Sequence, residues 1–124
     1  MVYVARGRTS GVYKIGCTCN LQQRAAQLAD SFDETITMER AFPGSYPEET
    51  AIIHMLAPFR ARDGECRRGF IGREVFSPRG GLVAAATAVL PPCNVVAHPP
   101  KRLPEAERRR RYQTWLRNQC AGRA

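Results

Sequence analysis

Tyr3, Arg24 and Glu49 are side chains of the kinds that act on phosphate esters. A phenol can position or deprotonate an attacking water, although its ordinary pKa of about 10 needs the field of a nearby cation. A guanidinium can donate a fork of hydrogen bonds to a phosphate as negative charge builds in the transition state. A carboxylate can hold a divalent cation. Each also has a plainer reading. An isolated strand tyrosine packs in a core, a helix-surface arginine sits in solvent, and an acid in a helix's first turn answers the helix dipole. Glu49 is set apart by spacing: it precedes Ile52 by three residues and Leu56 by seven, which puts its carboxylate at the start of the core-facing side of a helix. An unpaired charge placed there is costly unless it finds a partner. Mg²⁺ is a fitting one, because it keeps most of its waters and takes one or two protein carboxylates plus a substrate phosphate oxygen.

Two further groups of residues invite chemistry. Cys17-x-Cys19 has the look of a metal pair, but no second closely spaced Cys/His pair accompanies it, and Cys66, Cys93, Cys120, His54 and His98 are scattered. Zinc wants four ligands, so structural zinc is the minor reading. The C-terminal stretch carries Lys101, Arg102 and the run Arg108, Arg109, Arg110 and Arg111, followed by Tyr112, Trp115 and Leu116 at i, i+3 and i+4. Four consecutive arginines wrap all sides of a helix. The run reads as a solvated basic extension or as a nonspecific grip on a phosphate backbone, with the aromatic residues docking on the domain or stacking on unpaired bases.

The elements that must position these groups follow from pattern. Val2-Tyr3-Val4 and Val12-Tyr13-Lys14-Ile15-Gly16 flank the Gly- and Arg-rich segment 6–11, which predicts an antiparallel hairpin with a basic loop holding Arg6 and Arg8. Asn20 caps a helix whose stripe is Leu21, Ala25, Leu28 and Phe32, with Arg24 flanking it. Residues 35–42 alternate as a third strand. Ser45, Glu48 and Pro47 start a second helix as a capping box with proline in the first turn, and Ile52, Met55, Leu56 and Phe59 are its expected buried face. Residues 60–73 hold five arginines and read as an exposed loop. Glu74-Val75-Phe76 reads as a brief strand, Ser77-Pro78 opens a helix running through Leu82, Ala85 and Val89, and prolines from Pro91 to Pro104 mark a linker to a last helix, Glu105 to Asn118.

The ordered set resembles the GIY-YIG nuclease superfamily, in the branch of phages and large DNA viruses. Tyr3 stands for the first motif, Tyr13-Lys14-Ile15-Gly16 for the second, Thr18-Cys19-Asn20 and Arg24 for the helix that follows, Glu49, Ile52, Leu56 and Phe59 for the acidic helix, and Gly72-Arg73-Glu74-Val75-Phe76 for the closing strand. The similarity spans about residues 2–90. It implies a small, mainly antiparallel three-stranded α/β (α+β) sheet flanked by helices, over residues 1–90; beyond it the residues themselves read as a Pro-rich linker and basic helical tail, 91–124. It also implies endonucleolytic phosphodiester hydrolysis with one Mg²⁺ or Mn²⁺ held by Glu49, and with Tyr3, Lys14, Arg24 and Glu49 catalytic. Lys14 stands where most members have a second tyrosine; an amine is protonated near neutral pH, so it is assigned to phosphate contact. His54 falls one residue late, a rotation of about 100° around the helix, and receives no role.

Composition sets the partners. Nineteen Lys plus Arg against eleven Asp plus Glu give +8; residues 1–90 contribute eleven basic and nine acidic groups, and 91–124 eight and two. A skewed positive charge favours a polyanion through counterion release. DNA is the expected partner, with RNA left open, contacted by Arg6, Arg8, Lys14, Arg24 and Arg108 to Arg111. Alternatives are a DNA-binding module without catalysis, or an adaptor for acidic partners. No apolar run reaches bilayer length and no signal peptide is evident, so an intracellular protein, in cytoplasm or nucleus, with reduced cysteines is expected.

Overall fold

The computed structural model describes residues 1–62, 65 and 74–121. Its five strands are β1 (Val2–Gly7), β2 (Tyr13–Cys17), β3 (Ile36–Phe42), β4 (Val75–Phe76) and β5 (Pro92–Ala97). Its four α-helices are α1 (Leu21–Phe32), α2 (Tyr46–Met55), α3 (Leu82–Thr87) and α4 (Glu105–Ala121). The strands form one antiparallel sheet in the order β4-β2-β1-β3-β5. The fold is α+β, but the sheet has five strands rather than the expected three.

β1 lies at the centre and is buried on both faces. Val2 and Val4 pack with Tyr13, Ile15, Ile53, Leu56, Phe76 and Val83, the side covered by α2 and α3. Tyr3 and Ala5 pack with Ala25, Leu28, Ala29 and Phe32, the side covered by α1. Alternation along a strand makes this division, since neighbouring residues point to opposite faces.

Local signals place the helices. The Asn20 side chain accepts from the Gln23 N–H at 3.0 Å. α1 ends at Asp33, whose backbone is left-handed (φ 55°) and whose N–H returns to the Ala29 carbonyl. α2 carries the expected capping box, with the Ser45 N–H donating to the Glu48 carboxylate at 2.9 Å. Those hydrogen bonds hold the Glu48 carboxyl below its ordinary pKa.

Four expectations are corrected. The buried stripe of α2 is Glu49, Ile53 and Leu56, not Ile52 and Met55; Met55 is exposed, and Ile52 and Phe59 are only partly buried. A stripe that starts on Glu49 continues at i+4 and i+7, which are those residues. α3 stops at Thr87, whose hydroxyl donates back to the Val83 carbonyl at 2.8 Å, and Val89 is left exposed. In the segment read as a loop, Ala61 is buried and donates its N–H to the Val75 carbonyl, and Arg60 bridges to Phe76; positions 63, 64 and 66–73, including Cys66, Gly72 and Arg73, lie outside the described residues.

The fourth correction is the proline-flanked segment read as linker, which contains β5. It pairs with β3 (Ile36 opposite Ala97, Met38 opposite Val95, Arg40 opposite Pro92) and turns Cys93, Val95 and Ala97 toward the α1 cluster. Pro92 is tolerated because it begins an edge strand, where no ladder donor is needed. Arg102 then ties the chain to the end of α1, donating to the Asp30 carboxylate at 2.9 Å and its carbonyl at 3.2 Å, with the Asp33 carboxylate 3.7 Å away.

Candidate functional site

The β1/β2 register sets Tyr3 opposite Gly16 and Ala5 opposite Lys14. Directly opposed residues share a face, so the phenol and the ammonium lie on the side that α1 covers. The Thr18 hydroxyl accepts from the Asn20 N–H at 3.1 Å and so shapes the turn that starts α1 and presents Arg24. β4 pairs only with Tyr13 and Lys14, so among the described residues the Gly16–Cys17 end of β2 has no outer neighbour in the ladder. There a cleft of about 370 Å³ opens, and Glu49 reaches it from α2. Its lining includes Tyr3, Lys14, Gly16, Arg24, Glu49 and Glu74, with Met1, Cys17, Thr18, Cys19 and Tyr46. The four residues singled out as catalytic thus share one concavity, although they come from two strands and two helices.

The polar atoms of this cleft are unevenly partnered. The Lys14 ammonium is ion-paired to the Glu74 carboxylate. The Tyr3 hydroxyl and the Arg24 Nε are buried and have no hydrogen-bond partner among the described residues. Glu49 is 6% exposed as a residue; its carboxylate makes no hydrogen bond or ion pair with any described residue and meets solvent at the cleft.

Gly16 is where it is for space. A Cβ there would lie 2.2 Å from the Tyr3 hydroxyl oxygen, so only glycine lets the ring lie flat across β2. Burial pushes the Tyr3 phenol up to about 12; the Arg24 guanidinium opposes that rise, and Glu74, Glu49 and Cys17 add to it. The hydroxyl is therefore protonated at neutral pH and serves the free cleft as a hydrogen-bonding group.

Among the described residues no group of three or more His, Cys, Asp or Glu side chains is arranged to hold a metal. Cys17 and Cys19 line the cleft with Glu49 and Glu74 but do not gather with them into such a group, and Cys17 Sγ lies 3.8 Å from the Gly44 carbonyl. That donor set does not suit zinc. It does suit a hard cation that keeps its waters and takes one carboxylate, with Glu49 as the donor.

The other expected nucleic-acid contacts lie elsewhere. Arg6 and Arg8 line a separate concavity of about 320 Å³ with Thr37 and Glu39, at the other end of β1 from Tyr3. The Arg6 guanidinium stands 5.2 Å over the Tyr13 ring and 3.8 Å from the Glu39 carboxylate. Burial raises the Tyr13 phenol's pKa, and Arg6 opposes it. Arg108 to Arg111 are exposed on α4; Arg109 pairs with Glu105 at 2.8 Å and Arg111 with Glu107 at 3.2 Å. His54 is exposed and outside the cleft.

Sequence reasoning missed Glu74 and Tyr46 as lining residues and overlooked Glu34 altogether. Glu34 is 1% exposed, and one carboxylate oxygen accepts from the Thr9 and Ser10 N–H groups at 2.9 Å each, which fixes the hairpin loop. Its only signal was an acid just beyond a helix end. Glu74 was visible as a charge beside the apolar pair Val75-Phe76, but nothing in the chain linked it to Lys14, 60 residues away.

No helix among the described residues is long and apolar enough to cross a membrane. Neither a curated protein nor a solved structure matches the chain. The T5orf172 domain model matches the chain over residues 1–89, and this overturns the assignment to the GIY-YIG superfamily, which is unsupported. T5orf172 domains are found in phage and bacterial proteins, often DNA-binding or nuclease-associated ones. With 89 of 124 residues matched, the chain belongs to the T5orf172 domain family.

Proposed function

We propose that the cleft binds the sugar-phosphate backbone of DNA and hydrolyses a phosphodiester with one divalent cation, Mg²⁺ or Mn²⁺, held by Glu49. The observation that carries this reading is the Glu49 carboxylate, without a hydrogen bond or ion pair among the described residues, on the lining of the same cleft as the unpartnered Tyr3 hydroxyl and Arg24 Nε.

Each residue has a task set by its chemistry. Arg24 donates to a nonbridging phosphate oxygen and offsets the charge that grows there as water attacks phosphorus. Lys14 exchanges its Glu74 partner for the phosphate and holds the strand. The Tyr3 hydroxyl orients the water, whose oxygen forms the new bond to phosphorus as the bond to the leaving sugar oxygen breaks; the water gives up a proton to solvent and the leaving oxygen takes one from it. A divalent cation, when bound, supplies Lewis-acid polarisation of the phosphate and favours deprotonation of groups beside it. Glu49 would hold that cation.

The test is nicking of supercoiled plasmid. Breaks that require Mg²⁺ or Mn²⁺, and that vanish in Glu49→Gln while DNA binding persists, are expected. A second reading, a module on the same scaffold that binds without cleaving, is favoured by the high pKa of the Tyr3 phenol, which stays protonated and cannot itself take a proton from the water. It predicts salt-sensitive binding and no breaks with any divalent ion, and that result would overturn the hydrolytic proposal.

A further inference from the structure

α4 is a helix without a core. Residues 108–120 are all exposed, so no packing against the domain accounts for its aromatic side chains. Tyr112 and Trp115 are 60% and 53% exposed, and Leu116 beside them is 40% exposed. The two rings lie nearly parallel, 21° between planes and 5.9 Å between centroids. Arg108, Tyr112 and Trp115 follow one another at i, i+4 and i+7, so a guanidinium stands on the same stripe as the rings.

The charges on this helix are sorted. Arg109 and Arg111 are ion-paired with Glu105 and Glu107 one turn earlier. Arg108, Arg110 and Arg117 make no ion pair with any described residue. The free cation of the aromatic stripe is therefore Arg108, with Arg110 and Arg117 on the flanks.

From this we infer that the Arg108–Tyr112–Trp115 stripe of α4 is a stacking platform for single-stranded DNA. The partner must be anionic and must offer flat faces. A duplex offers the charge but keeps its base faces stacked inside, and an acidic peptide offers the charge without the rings. A second copy would bring another helix with five arginines and two glutamates against this one, like charge on like. An unpaired strand satisfies both demands, its phosphates on the arginines and a base on the exposed ring face. The inference rests on the nucleic-acid part of the proposed function and is independent of cleavage in the cleft.

Trp115 is the one tryptophan of the chain, so emission excited at the red edge of the indole band, where tyrosine does not absorb, reports this helix alone. The full chain is titrated with oligothymidylate, oligouridylate, a blunt DNA duplex of equal length, inorganic polyphosphate and polyglutamate. Saturable quenching by oligothymidylate, with clearly less from the other four, is expected. Tyr112→Ala and Trp115→Ala should weaken binding of labelled oligothymidylate about tenfold, by anisotropy, while duplex binding and thermal melting stay near those of the parent. Equal quenching by polyphosphate or polyglutamate would overturn the stacking assignment. So would equal loss of single-strand and duplex binding in the variants, or an emission shift that grows with protein concentration alone. Stronger quenching by oligouridylate would overturn the choice of DNA. Glu49→Gln is expected to keep the quenching, so loss of cleavage and loss of stacking are read separately; failure to bind any nucleic acid would sink both readings.

Discussion

Adding a single methyl group at Gly16 is expected to destabilise the protein through one side chain, Tyr3. The new Cβ would stand 2.2 Å from the phenol oxygen, 2.4 Å from Cζ and 2.9 Å from Cε1. Ordinary van der Waals contact begins near 3.4 Å, so the ring would have to retreat by about 1 Å. It has nowhere easy to go: Tyr3 is 1% exposed and belongs to the cluster formed with Ala25, Leu28 and Phe32. Overpacking of this kind costs about 1–3 kcal/mol, which for a chain of this size lowers the melting temperature by about 4–12 °C. The background decides the cause. In Tyr3→Phe the oxygen is gone but Cζ and Cε1 remain, so Gly16→Ala keeps most of its cost. In Tyr3→Val all three atoms are gone, and Gly16→Ala should be nearly neutral. Urea unfolding followed by circular dichroism measures the four stabilities of each cycle. If Gly16→Ala costs as much in Tyr3→Val as in the parent, the clash is not with Tyr3, and the close crossing that shapes the cleft is wrong.

Three further outcomes follow from the same geometry. The Tyr3 phenol should titrate near pH 12 by ultraviolet difference spectroscopy, the step being identified by its loss in Tyr3→Phe. The unfolded chain gives up that proton at about pH 10, so stability is full below pH 10 and falls by about 2–3 kcal/mol as the pH rises to about 12; titration near 10 would mean a solvated hydroxyl. Glu34→Ala should cost about 1–3 kcal/mol by stranding the Thr9 and Ser10 N–H groups, with Glu34→Gln losing less because it keeps an acceptor; identical stabilities for parent and Ala variant would dismiss the loop staple. Glu74→Gln frees the Lys14 ammonium from its ion pair and should tighten DNA binding, steepening the salt dependence by about one phosphate contact; an unchanged slope would show that Lys14 does not face the strand.

How far the chain announces itself differs by element. The hairpin, α1 and the N-terminus of α2 are legible because their signals are local: apolar alternation, Asn20 as a cap, and Ser45 with Glu48 as a capping box. β5 is not, since its four flanking prolines speak for a linker, and only the open edge of β3 makes Cys93, Val95 and Ala97 worth burying. The stripe of α2 was misjudged for a related reason: Ile52, Ile53, Met55 and Leu56 are all apolar, and which of them turns inward depends on where the helix meets the sheet.

For the candidate site, residue type and spacing, joined to the motif resemblance, supplied only the candidates: an acid at the head of a helix's inner stripe, an arginine beside another stripe, and a tyrosine and a lysine on neighbouring strands. Tertiary structure decided their company. It closed Tyr3 over Gly16, tied Lys14 to Glu74 and left Glu49 without a described partner, and it sent Arg6 and Arg8 to a different concavity. Backbone propensities act over a few residues, so sequence specifies elements. Burial, desolvation and the pairing of charges depend on which distant segments meet, and those are properties that only the packed chain possesses.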